Sequence, residues 1–280
     1  MTEAFGVRLA RVFAARGQLC VGIDPHATLL DAWGLPDSSA GVRDFGLRVV
    51  EAAAERVGIV KPQIAFFERH GSAGYAALED VLTAARSAGL LVIADVKRGD
   101  LGTSVDAYGD AWLTPGSPLE ADAMTVVAYQ GLGSLDGVIE RAGRWGKGLF
   151  VLAATSNPEA FATQTARRAD GRSVAEGVVA EVSERNAAAL PGPLGSLGVV
   201  VGATIGLTDF GLSAASFAGM PVLAPGFGHQ GAQISQLPEL FGAAAQNVLV
   251  SASRSILSAG PSGLEAAIDA HVAEVAACRA

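Results

Sequence analysis

Eight short runs of almost uninterrupted apolar residues, spread along the whole chain, constrain the fold more than any other feature. They are 19–24 (LCVGID), 58–64 (GIVKPQI), 91–97 (LVIADVK), 123–128 (AMTVVA), 149–154 (LFVLAA), 198–203 (GVVVGA), 221–225 (PVLAP) and 247–252 (NVLVSA). Runs this short, with no polar alternation, are the pattern of strands buried on both faces in parallel sheets. Between them lie Ala-rich stretches with helical periodicity, among them 40–56, 73–88, 174–189 and 263–278. Parallel neighbours need a crossover of about a dozen or more residues, which a helix supplies. Eight such units predict an α/β fold, a (β/α)8 TIM barrel. An open doubly wound sheet is the competitor. It would carry a Gly-rich fingerprint after its first strand, where this chain has Gly22-Ile23-Asp24-Pro25-His26.

No linker, repeat or low-complexity tract divides the chain, so a single barrel domain over 1–280 is expected. Phe5, Leu9, Val12 and Phe13 fall at helical spacing. They predict a helix over 1–17 packed on the barrel rather than a transit peptide. Half of the residues are hydrophobic and 17% are charged, which supplies a large core and argues against disorder. With 20 Lys+Arg against 28 Asp+Glu the net charge is −8. That balance argues against a nucleic-acid surface and against anionic membranes, while leaving room for a local pocket that takes one small anion. The uncharged stretches 186–208 and 210–238 are cut by Gly and Pro, so no membrane span is expected. Cys20 and Cys278 sit near opposite ends, and four scattered histidines add no ligand spacing; no metal is expected, and the location expected is cytoplasmic. Cys20 reads as a small core residue, His70 and His271 as helix-surface residues, and Arg98 as a solvated one.

In a barrel the working residues lie at the C-terminal ends of the strands. Those ends carry Asp24, Lys61, Asp95 with Lys97, Thr155-Ser156-Asn157, Pro225 through Gln230, and Ser253-Arg254. A charge at the end of a buried strand needs a partner or a ligand. The densest cluster is Asp95-Val96-Lys97-Arg98-Gly99-Asp100. Two residues apart on a strand, Asp95 and Lys97 should share a face, and Gly99 should allow a tight turn that returns Asp100 to the rim. Flanking carboxylates favour a charged ammonium, which is a proton donor rather than a Schiff-base nucleophile. A second cluster, Pro225-Gly226-Phe227-Gly228-His229-Gln230-Gly231, pairs with Ser253-Arg254. The loops after strands seven and eight of barrels commonly bind phosphate. Gly226 and Gly228 would let the backbone approach an anion, Gln230 would donate to it, and Arg254 would grip two of its oxygens.

DVKRGDLGTS at 95–104, with CVGIDPH, VKPQIAFFE, ATSNPE, APGFGHQGA and SASRSI following the same order around it, resembles the orotidine 5′-phosphate decarboxylases, in their longer bacterial, type 2 branch. The match spans residues 19–256, and its departures are Leu101 where Ile is common and Ser104 where Thr is common. The resemblance implies cofactor-free conversion of orotidine 5′-monophosphate to uridine 5′-monophosphate and carbon dioxide, a step of pyrimidine biosynthesis. It implies that Lys97 protonates C6, that Asp95 stands beside the scissile carboxylate, and that Asp100 comes from the other subunit of a homodimer with shared sites. Asp24 and Lys61 would hold ribose hydroxyls, with Thr103 or Ser104 assisting from the partner. Ser156 would read the pyrimidine edge, while Pro225, Gly228, Gln230 and Arg254 would form the rest of the nucleotide site. Three other readings of the residues remain open at this stage: a Mg-dependent sugar-phosphate lyase or decarboxylase on the same barrel, a Schiff-base aldolase, and a catalytically inactive nucleotide-binding barrel.

Overall fold

A computed structural model describes residues 2–189 and 192–278. Eight parallel strands close into a barrel in chain order: β1 (Leu19–Ile23), β2 (Ile59–Pro62), β3 (Leu91–Arg98), β4 (Ala123–Val126), β5 (Gly148–Ala154), β6 (Leu197–Val201), β7 (Val222–Pro225) and β8 (Val248–Ala252). β8 returns to pair with β1, Leu19 lying opposite Val250. The open doubly wound alternative is thereby excluded. Helices Ser39–Ala53, Gly71–Ser87, Gly102–Leu113, Asp136–Trp145, Val174–Ala188 and Gly260–Ala277 form most of the outer layer. The alternation is not uniform. After β6 the outer layer consists of two single 3-10 turns, Leu207–Phe210 and Ala214–Phe217, because the segment between β6 and β7 is too broken by Gly to sustain a helical stripe. Among the described residues no helix is long and apolar enough to cross a membrane.

The strand period of two sorts the side chains into two cores. Leu19, Val21 and Ile23 of β1, Val60 of β2 and Val92 of β3 point outward into the large cluster under the helices. Cys20, Ile59, Leu91, Ile93, Ala123, Phe150, Val200, Leu223 and Leu249 point inward and fill the lumen. Helix α1 (Phe5–Arg16) joins that inner cluster rather than the outer one, through Phe5, Leu9 and Phe13. Phe5 meets Phe150 edge-on at 6.0 Å between ring centroids. Gly148 is what makes room for it, since a Cβ there would lie 2.3 Å from the Phe5 ring. Arg8 of the same helix donates to Asp122 at 2.5 Å and to the Gly146 carbonyl at 2.9 Å. Asp122 in turn accepts from the Val92 N–H. The helix thus seals the N-terminal end of the lumen with apolar side chains and leaves the C-terminal end open.

Truncating Phe5 to Ala removes a fully buried ring from that seal and is expected to cost about 3–5 kcal/mol. Urea unfolding measures it. A loss below about 1 kcal/mol would show that α1 is an ornament on the barrel rather than part of its core.

Candidate active site

Followed upward, the inward positions change character. Above Cys20 and Gly22 comes Asp24; above Ile59 come Lys61 and Gln63; above Ile93 comes Asp95; above Leu249 come Ser251 and Ser253. With Leu152, Val200, Gly202, Leu223 and Pro225 on the opposite side, these residues line a cavity of about 370 Å³ at the C-terminal mouth of the barrel. One wall is therefore charged and the other largely apolar, which suits a ligand with an apolar face and polar or charged groups on one side.

Asp95 is the centre of the charged wall. Its Oδ1 accepts from Lys97 Nζ at 2.6 Å and from Thr125 Oγ1 at 2.9 Å. Its Oδ2 accepts from Lys61 Nζ at 3.1 Å and Gln63 Nε2 at 2.9 Å. Burial by itself would raise the Asp95 pKa, but the Lys61 and Lys97 ammonium groups and the Thr125 hydroxyl hold it well below the usual carboxylate range. Burial likewise works against a charged Lys61, and the Asp95 and Asp24 carboxylates overcome it, holding the ammonium above the ordinary lysine value. Asp24 Oδ1 lies 4.0 Å from Lys61 Nζ; it is buried and has no hydrogen-bond partner among the described residues. The Lys61 side chain is 7% exposed and the Lys97 side chain 44%. Lys97 therefore presents the more open ammonium of the two while anchored from behind, and Lys61 meets the cavity from within its wall.

The meeting of Asp95 and Lys97 does not come from simple strand alternation. The β3–β4 register shifts between Ala94 and Arg98, and Lys97 sits at φ +48°. That conformation is uncommon for a residue with a side chain, and such strain persists only where the surroundings enforce it. Thr125 enforces it here: its Oγ1 accepts the Lys97 N–H at 2.9 Å while donating to Asp95. Gly99 also differs from expectation. It is not in the left-handed region; glycine is needed because a Cβ would lie 2.3 Å from the Val127 carbonyl oxygen. Asp100 does not return to its own rim. Its Oδ1 accepts the Leu101 N–H, and neither it nor Thr103 or Ser104 lines the cavity of its own chain.

The far end of the cavity is built by Gly226, Phe227, His229 and Gln230 after β7 and Ser253-Arg254 after β8. Arg254 has no carboxylate partner among the described residues, in contrast to the saturated pairs of the charged wall. Ser156 and Pro225 also line the cavity, as expected, but Gly228 does not. Its N–H is donated to the Ala232 carbonyl at 2.8 Å, closing the loop on itself, so no donor is left for an anion. Cys20 lies in the core, where burial pushes its thiol up to about 12. His70 and His271 are half-buried at or on helices, as the helix-surface expectation has it, whereas Arg98 is not the solvated group expected. His70 starts the Gly71–Ser87 helix 3.6 Å from Asp37, His271 contacts the Ala267 carbonyl and Ser255, and Arg98 pairs with Glu68 at 2.9 Å beneath Tyr108. The sequence reading leaves out Gln63 and Thr125 and gives His26 no role. Gln63 is two residues beyond Lys61 and so signalled by alternation. Thr125 stands in the interior of an apolar strand, where a hydroxyl is out of place unless it is bonded. The His26 ring packs on Phe66 at 4.2 Å, a contact with no signature in the local sequence.

The model of the orotidine 5′-phosphate decarboxylase / HUMPS family matches residues 17–268. The chain is 52% identical over 280 residues to the orotidine 5′-phosphate decarboxylase of Salinispora tropica, covering 99% of this chain and 98% of that protein. It is 49% identical over 276 residues to the orotidine 5′-phosphate decarboxylase of Streptomyces coelicolor, covering 98% and 97%. A crystal structure from Streptomyces avermitilis superposes with a TM-score of 0.93 at 49% identity, covering 99% of this chain and 97% of that one. The OMP decarboxylase of Leishmania donovani superposes with a TM-score of 0.79 at 29% identity, covering 98% of each.

The saturated carboxylate generates a stability prediction with a definite sign. Asp95→Asn removes one partner of a buried pair and is expected to cost about 3–5 kcal/mol near neutrality. Because the folded pKa of Asp95 is depressed, its contribution is complete above the ordinary aspartate range. It is lost as the pH falls below about 4, where the unfolded chain takes up a proton that the folded site refuses. Urea midpoints of the two proteins should therefore converge on acidification. A gap that stays constant from pH 7 down to pH ~3 would contradict the assignment.

Proposed function

The chain belongs to the orotidine 5′-phosphate decarboxylase / HUMPS family and converts orotidine 5′-monophosphate to uridine 5′-monophosphate and carbon dioxide, and on that premise we propose how its residues divide the work. The C6–carboxylate bond breaks, its electron pair stays at C6, and a proton from Lys97 Nζ replaces the departed carbon dioxide. The step balances without an oxidant or reductant. Its carrying observation is the contrast between the two ends of the cavity. At the charged wall Asp95 is saturated by four hydrogen bonds, whereas at the far end Arg254 has no carboxylate partner among the described residues. One end repels and then protonates, and the other grips an anion.

Asp95 facing the substrate carboxylate at ~4 Å contributes at most ~4 kcal/mol of relieved repulsion at an effective dielectric of 20, about three powers of ten in rate. The larger share falls to Lys97, whose ammonium faces the developing carbanion in a site closed against water. Asp24, with its unsatisfied buried oxygen, and Lys61 hold the ribose hydroxyls. Ser156 meets the pyrimidine edge, Pro225 forms its apolar wall, and Gln230 with Arg254 holds the phosphate. Phosphate binding then drives closure, which is how a remote dianion raises turnover as well as affinity.

The proposal includes a two-fold homodimer. Asp100, Thr103 and Ser104 stand on the outside of their own site, next to Leu101, which is 60% exposed, and on the same rim as the exposed Tyr129. A second copy seated there would carry the partner subunit's Asp100 to Lys97. A single-domain enzyme of the cytoplasm completes the proposal; both cysteines are free thiols.

Ultraviolet loss of orotidine 5′-monophosphate should proceed undiminished in excess chelator. Lys97→Ala should lower kcat by at least ~10³-fold while still binding uridine 5′-monophosphate. Chelator-sensitive turnover would end the metal-free reading, and near-native turnover of the variant would end the assignment of the donor. Subunit exchange tests the shared site. Lys97→Ala and Asp100→Asn homodimers should each be nearly inactive. Random mixing makes about half of the dimers mixed, each with one site free of both lesions, so activity should recover toward about a quarter of native. No recovery despite demonstrated exchange would place both residues in one chain's site.

A further inference from the structure

Gln63 has no part in the division of labour above, yet it touches both members of the central ion pair. It is the inward residue after Lys61 at the end of β2, and its backbone is locked on both sides. Its N–H donates to the Ile23 carbonyl at 3.1 Å, and it forms a parallel bridge with Asp95. From this fixed root, Nε2 donates to Asp95 Oδ2 at 2.9 Å and Oε1 faces Lys97 Nζ at 3.5 Å. A neutral amide carries a donor and an acceptor on one planar head, so it can bridge a carboxylate and an ammonium without adding charge. Lys97 needs such a bridge. Its side chain is 44% exposed, and among the described residues Asp95 is the other side-chain partner of its ammonium, so within its own chain little else limits where Nζ points. A free lysine chain gives up rotamer entropy when held in one geometry. A second anchor aims the ammonium into the cavity and keeps it from swinging toward solvent.

From this geometry we infer that Gln63 is a positioning residue for proton transfer, holding Asp95 and Lys97 in register through its side-chain amide. The inference rests on the decarboxylase reading. The ionisable groups sharing the cavity with Gln63 are Asp24, His26, Lys61, Asp95, Lys97, His229 and Arg254. Of these, Asp95 and Lys97 bond to it directly.

Two variants test it, with kcat and KM for orotidine 5′-monophosphate measured from pH 5 to pH 8 beside the unsubstituted enzyme. Gln63→Met keeps the length and loses both polar contacts. Its kcat should fall roughly 10- to 100-fold while KM and product affinity stay within about twofold. Gln63→Glu supplies the same shape with a switchable charge. Ionised, it repels Asp95 and pulls Lys97 aside; protonated, it regains a donor toward Asp95 and an acceptor toward Lys97. Asp95, 2.9 Å from the amide nitrogen that the new carboxylate oxygen replaces, raises its pKa more than Lys97 at 3.5 Å lowers it, so the ratio of variant to native kcat should climb as the pH falls from 8 to 5. A purely structural role would produce no such recovery. Native kcat in Gln63→Met, a loss confined to KM, or a pH-independent ratio in Gln63→Glu would each overturn the inference. Should Gln63→Met fail to fold, the Gln63→Glu profile alone decides. If the unsubstituted enzyme does not consume orotidine 5′-monophosphate at all, the decarboxylase reading falls and this inference with it.

Discussion

The Asp95 carboxylate ties together three strands of the barrel. Lys61 and Gln63 reach it from β2, Lys97 from its own strand, and Thr125 from β4. An isolated ion at this depth would be very costly, and four donors make it tolerable. The apolar lumen beneath is part of the same device. Cys20, Ile59, Ile93 and Leu249, sealed from below by Phe5, Leu9 and Phe13, keep water from the underside of the ion pair. Charges above such a layer interact more strongly than they would in water. The N-terminal helix, remote from the chemistry, thereby helps set its electrostatics.

Satisfied and unsatisfied groups are segregated within one cavity. The carboxylate–ammonium chain is complete before any ligand arrives, whereas among the described residues Asp24 Oδ1 has no hydrogen bond and Arg254 no carboxylate partner. Groups of the first kind are preorganised and need not rearrange when a ligand arrives. Groups of the second kind are open to one, and in the proposed reading they take the ribose hydroxyls and the phosphate. The strained backbone at Lys97, held by Thr125, belongs to the preorganised half, and strain of this sort is commonly stored at functional sites.

Much of this was legible beforehand. Each apolar run became a strand, with ends within about two residues of those expected, because runs this short, bounded by polar or Gly/Pro residues, are too short for a buried helix. Asp24, Lys61, Asp95, Lys97, Ser156, Pro225, Gln230 and Arg254 were all found on the cavity wall, since strand-end charges in a barrel converge on one mouth. What escaped notice was relational. Gly228 spends its N–H inside its own loop, Gly99 is required by the Val127 carbonyl, and Thr125 bonds both the Lys97 N–H and Asp95. None of these depends on residue type alone. Each depends on which backbone atom of a distant segment lies within about 3 Å.

Order and alternation along the chain determined the barrel, the placement of its charged residues at one rim, and the family to which those residues belong. Those properties follow from local periodicity and the right-handed βαβ crossover, which leave one economical way to bury eight apolar strands. Only the tertiary structure decided that Lys97 meets Asp95 through a bulge rather than through regular pleating. Only it showed that Thr125 and Gln63 complete the ion pair. Register shifts arise from the fit between neighbouring strands, and hydrogen bonds between β2, β3 and β4 join residues about 30 positions apart. The sequence names the charges, and the closing of the sheet assigns each its partner.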